Sequence, residues 1–173
     1  MRRSHQLPLL FLSLLLFVSP RGFASDAEPS PRPETSERHR FVLLAGATQI
    51  FDTDIDPFYG FEFQPAWRWH GVGSWFSLVG GEDAGIYSAI GLLYDFRIGA
   101  RWRVTPSFGV GYFRAHDFDL GSDLEFRSRI ELSREFDNGW RLGLGLSHVS
   151  NGSIGDINPG SEALCGSLSI PVF

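Results

Sequence analysis

Residues 124–136, "LEFRSRIELSREF", change character at every step. Leu124, Phe126, Ile130, Leu132 and Phe136 share one parity, and Glu125, Arg127, Arg129, Glu131, Ser133 and Glu135 the other. Successive side chains of a strand point to opposite faces, so a period of two builds a ribbon with one apolar and one charged side. The pattern recurs. Tyr59, Phe61, Phe63, Pro65, Trp67 and Trp69 alternate with Gly60, Glu62, Gln64, Ala66, Arg68 and His70. Trp140, Leu142, Leu144 and Leu146 alternate with Arg141, Gly143, Gly145 and Ser147. After residue 40 no apolar run is long enough for a transmembrane helix, and helical periodicity is poor. The chain is built of strands.

Eight strands are expected, over about 41–50, 57–69, 72–80, 84–97, 101–115, 122–135, 139–150 and 162–173. Tight connections at His70-Gly71, 98–100 and Asp137-Asn138-Gly139 alternate with longer ones at 51–56, 81–83, 116–121 and 151–161. A soluble sandwich or lipocalin-like barrel would also alternate, with its charged side outward. Two features favour the membrane instead. Trp67, Trp69, Trp102 and Trp140 lie toward strand ends, as interfacial girdles do. The opposite face mixes glycine with balanced arginine and acid, as a narrow lumen filled by ion pairs would. Glu62, Arg68, Asp95, Arg97, Arg101, Arg103, Glu125, Arg127, Arg129, Glu131 and Arg141 are its expected members. The closing "SLSIPVF" resembles the last strand of bacterial outer-membrane barrels. The expected fold is an all-β, eight-stranded antiparallel transmembrane β-barrel, too narrow to be an open pore, with its longer loops outside.

Residues 1–24 read as a cleaved signal peptide: Arg2 and Arg3, an apolar stretch from Leu7 to Val18, then small residues, with cleavage as late as residue 27 an alternative. Residues 25–40 are rich in proline, serine and charge and are expected to be a flexible lead-in, leaving 41–173 as the barrel domain. Loss of 1–24 removes three arginines and no acid, taking the formal charge from −5 to −8. Such a chain has no general attraction for nucleic acid. Cys165, the single cysteine, excludes an intrachain disulfide and is expected to pack inside.

The even-numbered apolar face of the seventh strand continues into His148 and Ser150, and Glu162 heads the even face of the eighth. All three should look out of the barrel near its external rim, on neighbouring strands. A serine hydroxyl needs a base to become nucleophilic, imidazole suits that role, and a carboxylate on the second ring nitrogen sets its tautomer. Asn151, Asn158 and backbone N–H groups of "NGSIGDINPG" are candidates for an oxyanion hole or substrate contact. Asp156 is the less favoured orienting acid, being in the loop. The bland alternative is the ordinary return of polar residues where a strand leaves the apolar zone. The lipase pattern G-x-S-x-G is absent, since "GLSHV" fails at its last position.

"H-V-S-N-G" followed by "N-P-G-S-E" resembles the motif of the outer-membrane lipid A 3-O-deacylases (PagL type). That family's catalytic histidine, serine and glutamate would fall on His148, Ser150 and Glu162, and its oxyanion-hole asparagine on Asn158. The resemblance covers about residues 146–164. It implies a serine esterase that hydrolyses the 3-hydroxyacyl ester at the 3-position of lipid A, without metal or cofactor. Expected partners are lipopolysaccharide in the outer leaflet of the bacterial outer membrane and, as an option left open, a second copy in a homodimer. Two alternatives stand beside it: a non-enzymatic barrel serving adhesion or envelope integrity, and an esterase acting on other acyl lipids.

Other constellations carry less. "DTDIDP" (Asp52, Asp54, Asp56) resembles the start of a calcium loop, but Pro57 and Phe63 occupy the positions that need glycine and glutamate. His39 and His70 lack partners at metal spacing, and His116 lies in the third external loop, from which it could approach the site.

Overall fold

The computed structural model describes residues 38–52, 55–82, 85–114 and 119–173. Residues 1–37, and with them the expected signal peptide and most of the lead-in, lie outside that set, as do Asp54 and His116. The strands are β1 (His39–Thr48), β2 (Asp56–Gln64), β3 (Arg68–Trp69), β4 (Val72–Gly81), β5 (Gly85–Tyr94), β6 (Phe96–Ile98), β7 (Trp102–Arg114), β8 (Leu124–Glu135), β9 (Arg141–Ser150) and β10 (Ser161–Val172). All pairings are antiparallel, and β1 pairs with both β2 and β10. The path β2-β1-β10-β9-β8-β7-β5-β4 closes on itself through β2 and β4. Since β3 extends β2 and β6 extends β5, the wall has the eight staves expected.

Two staves are broken where one was expected to run through. Pro65 has no N–H to give to a ladder, and β2 ends beside it at Gln64. Arg68 serves the stranded carbonyls instead, donating to Pro65 O (2.5 Å) and Trp67 O (3.0 Å). Asp95 interrupts the other, held inward by Thr105 Oγ1 (2.6 Å) and Arg141 Nη1 (3.0 Å). The turn at His70-Gly71 carries positive φ at both residues, 49° and 83°, which suits a two-residue hairpin. The connection from β4 to β5, expected at 81–83, falls between Gly81 and Gly85.

Parity decides which side each residue faces. Phe108, Ile130, Leu132, Leu142, Leu144 and Leu146 are exposed on the outer wall, and Trp67, Trp69, Trp102 and Trp140 are exposed at its tight-turn end. This is the apolar belt with an aromatic girdle that a hydrocarbon surround requires. Inside, Trp75, Tyr87, Ala89, Leu93, Phe113 and Leu120 form one apolar cluster, and Val42, Leu44 and Cys165 another. The lumen keeps a cavity of about 70 Å³ in its loop-side half, lined in part by Leu44, Tyr87, Phe113 and Cys165.

The lumen charges pair as a band. Glu62 receives Arg127 Nη2 at 2.8 Å and stands 3.7 Å from Arg129 Nη1. Arg129 also pairs with Glu131, and the Arg127 guanidinium stacks 3.8 Å from the Trp75 ring centroid. Nearer the tight turns, Arg141 bridges Asp95 (3.0 Å) and Glu135 (2.9 Å), and Arg103 adds 2.7 Å to Glu135. Four expected members behave otherwise, Arg68 among them, since it serves the carbonyls of Pro65 and Trp67. Arg97 is exposed, and Arg101 pairs with exposed Asp137 at the turn (3.0 Å). Glu125 is wholly buried with neither carboxylate oxygen hydrogen-bonded. Arg40, read from sequence as part of the lead-in, belongs to β1 and donates to Ser169 Oγ and Gly139 O, both at 2.7 Å.

Removing one partner of a buried ion pair leaves the other charge desolvated. Glu62→Ala should therefore destabilise the barrel by about 3–5 kcal/mol, read as an earlier urea midpoint for loss of the heat-modifiable folded band in detergent.

Candidate active site

The site strand β9 has glycine on the inside and bulk on the outside. A Cβ on Gly145 would stand 2.7 Å from Arg129 Nε, so the lumen charges occupy the space that side chains on this strand would need. On the outer face Leu142, Leu144 and Leu146 lead up to His148, which remains exposed, and then to Ser150, which is half-buried.

The register brings two of the expected residues into contact. His148 stands directly opposite Glu162 of β10, and Nδ1 lies 3.1 Å from Glu162 Oε1. Glu162 is held at both edges: β10 pairs with β9 on one side, and Ile50 N donates to Glu162 O at 3.3 Å on the other. Its neighbour Ser161 points inward and shares a 2.7 Å hydrogen bond with Thr48 Oγ1. With Nδ1–H donated to the carboxylate, Nε2 keeps its lone pair and can act as a base. Ser150 lies two residues from His148 on the same face, about 6.5–7 Å along the strand. Among the described residues no hydrogen bond joins its hydroxyl to the imidazole. Catalytic contacts are often loose before substrate arrives. Ser150 pairs across β8 with Phe126, whose ring stacks on Phe108 at 6.1 Å.

The loop at 151–160 is ordered by its own asparagines. Asn151 is completely buried, and its side-chain N–H groups go to Leu120 O (2.8 Å) and Ile157 O (2.7 Å). Its Oδ1 accepts Ser153 N at 2.8 Å. The Asn151 side chain therefore has no N–H left for a substrate. Asn158 Oδ1 accepts Asn151 N at 3.1 Å, leaving Nδ2 with only a 3.5 Å contact to Ser153 Oγ. Asp156 is exposed in the loop, and the carboxylate on His148 is that of Glu162.

Sequence reasoning passed over two neighbours of His148. Gly160 has φ +68°, and a Cβ there would fall 2.8 Å from His148 Cε1, so the ring uses the space that glycine leaves. The spacing "N-P-G-S-E" was its only trace. Ser128 is the β8 residue opposite His148, a pairing that only the register discloses.

A closed barrel with a lipid-facing wall and an imidazole–carboxylate pair beside a serine on that wall defines a class: outer-membrane barrels equipped for chemistry. Residues 54–171 match the family described as "Lipid A 3-O-deacylase (PagL)", and the chain belongs to that family. It is a lipid A deacylase, a hydrolase of the bacterial outer membrane.

Solved structures repeat the fold. The crystal structure of the outer membrane enzyme PagL is 22% identical with a TM-score of 0.62, covering 77% of this chain and 99% of that one. Neisserial surface protein A is 12% identical at 0.56, covering 78% and 96%. The N-terminal β-barrel domain of Pseudomonas aeruginosa OprF is 14% identical at 0.54, covering 76% and 97%. At these identities the likeness shows the fold alone, and the site must carry the rest. No curated protein sequence matches the chain.

Of the three hydrogen bonds of the Asn151 side chain, one joins loop 151–160 to Leu120 and two brace the loop itself. At about 1 kcal/mol each, their loss in Asn151→Ala should leave the barrel folded but speed protease cleavage within 152–159, mapped by mass spectrometry.

Proposed function

We propose that this deacylase works as a serine esterase through Ser150, His148 and Glu162. The observation that carries the reading is the cross-strand pairing of His148 with Glu162 on the outer wall, with Ser150 next on the same face. His148 Nε2 takes the proton of Ser150 Oγ as the oxygen attacks the ester carbonyl carbon at the 3-position of lipid A. Glu162 holds the imidazole in the tautomer with Nδ1–H and stabilises the imidazolium that forms. The tetrahedral oxyanion is met by Asn158 Nδ2 and by backbone N–H groups of the 151–160 loop.

Collapse of the tetrahedral centre breaks the bond to the sugar oxygen, which leaves as the alcohol with the proton from His148. A water, deprotonated in turn by His148, hydrolyses the acyl-Ser150 ester and releases the 3-hydroxy fatty acid. Asn151 serves by keeping Asn158 oriented, through its backbone N–H and its grip on the loop. No step calls on a metal or cofactor. Because the groups look sideways into the outer leaflet, substrate can reach them while its chains remain among the lipids.

The test is Ser150→Ala, assayed on refolded barrel with lipid A and mass spectrometry. Deacylation should fall at least about 10³-fold, as loss of a triad nucleophile does, while the folded band persists. Unchanged deacylation by the folded variant would remove Ser150 from the mechanism.

A further inference from the structure

We propose that Ser128 is a specificity residue whose hydroxyl binds the 3-hydroxyl group of the acyl chain being removed. This rests on the esterase reading above and extends it from the bond cleaved to the chain recognised.

On the outer face of β8 the residues run Leu124, Phe126, Ser128, Ile130, Leu132. One hydroxyl thus interrupts a row of large apolar side chains facing hydrocarbon. Elsewhere on the outer face, among the described residues, the strands carry serine at Ser74, Ser88 and Ser150, each nearer a strand end. A hydroxyl in an apolar surround is costly unless hydrogen-bonded, and among the described residues the Ser128 side chain has no such partner. Ser128 pairs directly with His148 on one side and with Phe108 on the other.

The way down into the bilayer from Ser150 has two sides. Toward β10 it is blocked by the His148–Glu162 pair, an ionisable contact that an alkyl chain would have to cover. Toward β8 stands Ser128, the one small side chain in a setting of Phe126 and Ile130 along its strand and Phe108 and His148 across from it. The acyl chain takes this side.

The distances suit a 3-hydroxyl. Ser150 pairs with Phe126, so Ser128 is its diagonal neighbour, about 7–8 Å away between backbones. In a 3-hydroxyacyl ester the hydroxyl oxygen stands about 3.5 Å from the carbonyl carbon at ordinary bond lengths. With Ser150 Oγ at about 3 Å from that carbon and a hydrogen bond of about 2.8 Å to Ser128, the chain can bridge the two serines. An unsubstituted acyl chain would leave the Ser128 hydroxyl unpaired, and discrimination follows from that difference.

The test uses the full-length barrel refolded in detergent micelles with two synthetic glucosamine lipids, one carrying 3-hydroxytetradecanoate at O-3 and the other tetradecanoate. Wild type should cleave the hydroxylated ester with the higher kcat/KM. In Ser128→Ala the ratio of the two kcat/KM values should fall about fivefold to tenfold, the worth of one neutral hydrogen bond. Ser128→Thr, which keeps a hydroxyl, should retain most of the preference. A ratio unchanged in Ser128→Ala would overturn the proposal, as would absence of any preference in wild type. Equal loss toward both esters would overturn it too, since the hydroxyl would then serve His148 rather than the chain. Cleavage of neither ester by folded wild-type barrel would bring down the esterase reading itself, a result distinct from all of these.

Discussion

In hydrocarbon there is no water to satisfy a backbone amide, so a sheet that crosses a membrane must close on itself. Closure here runs through the pairing of β2 with β4. It leaves no freedom to slide, because a one-residue slip would turn the apolar parity inward and the charged parity toward lipid. The site depends on that constraint. His148 meets Glu162 because Leu146 meets Leu164 and Leu142 meets Leu168 in the same ladder. The pair is held by the sum of the wall's hydrogen bonds, not by its own contact.

The lumen supplies the other half of that rigidity. Glu62 lies between Arg127 and Arg129, and the Arg127 guanidinium also covers the Trp75 ring. Arg127 and Arg129 come from β8, whose outer face holds Phe126, Ser128 and Ile130 beside the site. Parity thus lets one strand anchor the interior through odd residues and shape a lipid-facing surface through even ones. A candidate site on the outside of a barrel needs no pore, and the lumen here is largely filled by its own side chains.

How much could be read beforehand follows the range of each interaction. The staves and their parity come from neighbours two apart, so the alternation in 124–136 and 140–147 was sufficient. The break at Asp95 was less visible, since it depends on a distant partner, Arg141, whereas the break at Pro65 has a local cause in the missing N–H of proline. Arg40 sat in a polar, proline-rich context and read as lead-in, yet it is taken up by Ser169 and Gly139, far along the chain. That His148, Ser150 and Glu162 share the outer face was legible, because strand parity alone places them there. The part played by Asn151 was not, because it rests on the carbonyl of Leu120, brought near only by the fold.

From its residues alone, this chain was bound to be a strand-built barrel with an oily exterior, and to carry imidazole, hydroxyl and carboxylate on that exterior. Period two is a local property, and it survives without knowledge of any partner strand. Which strands touch, and in what register, was settled by closure of the whole wall. Only then did Ser128 come to face His148, Gly160 come to lie under its ring, and Asn151 become a clasp for the loop. Each is a contact between segments distant in sequence or turned back by a loop, and no pattern of nearest neighbours encodes it.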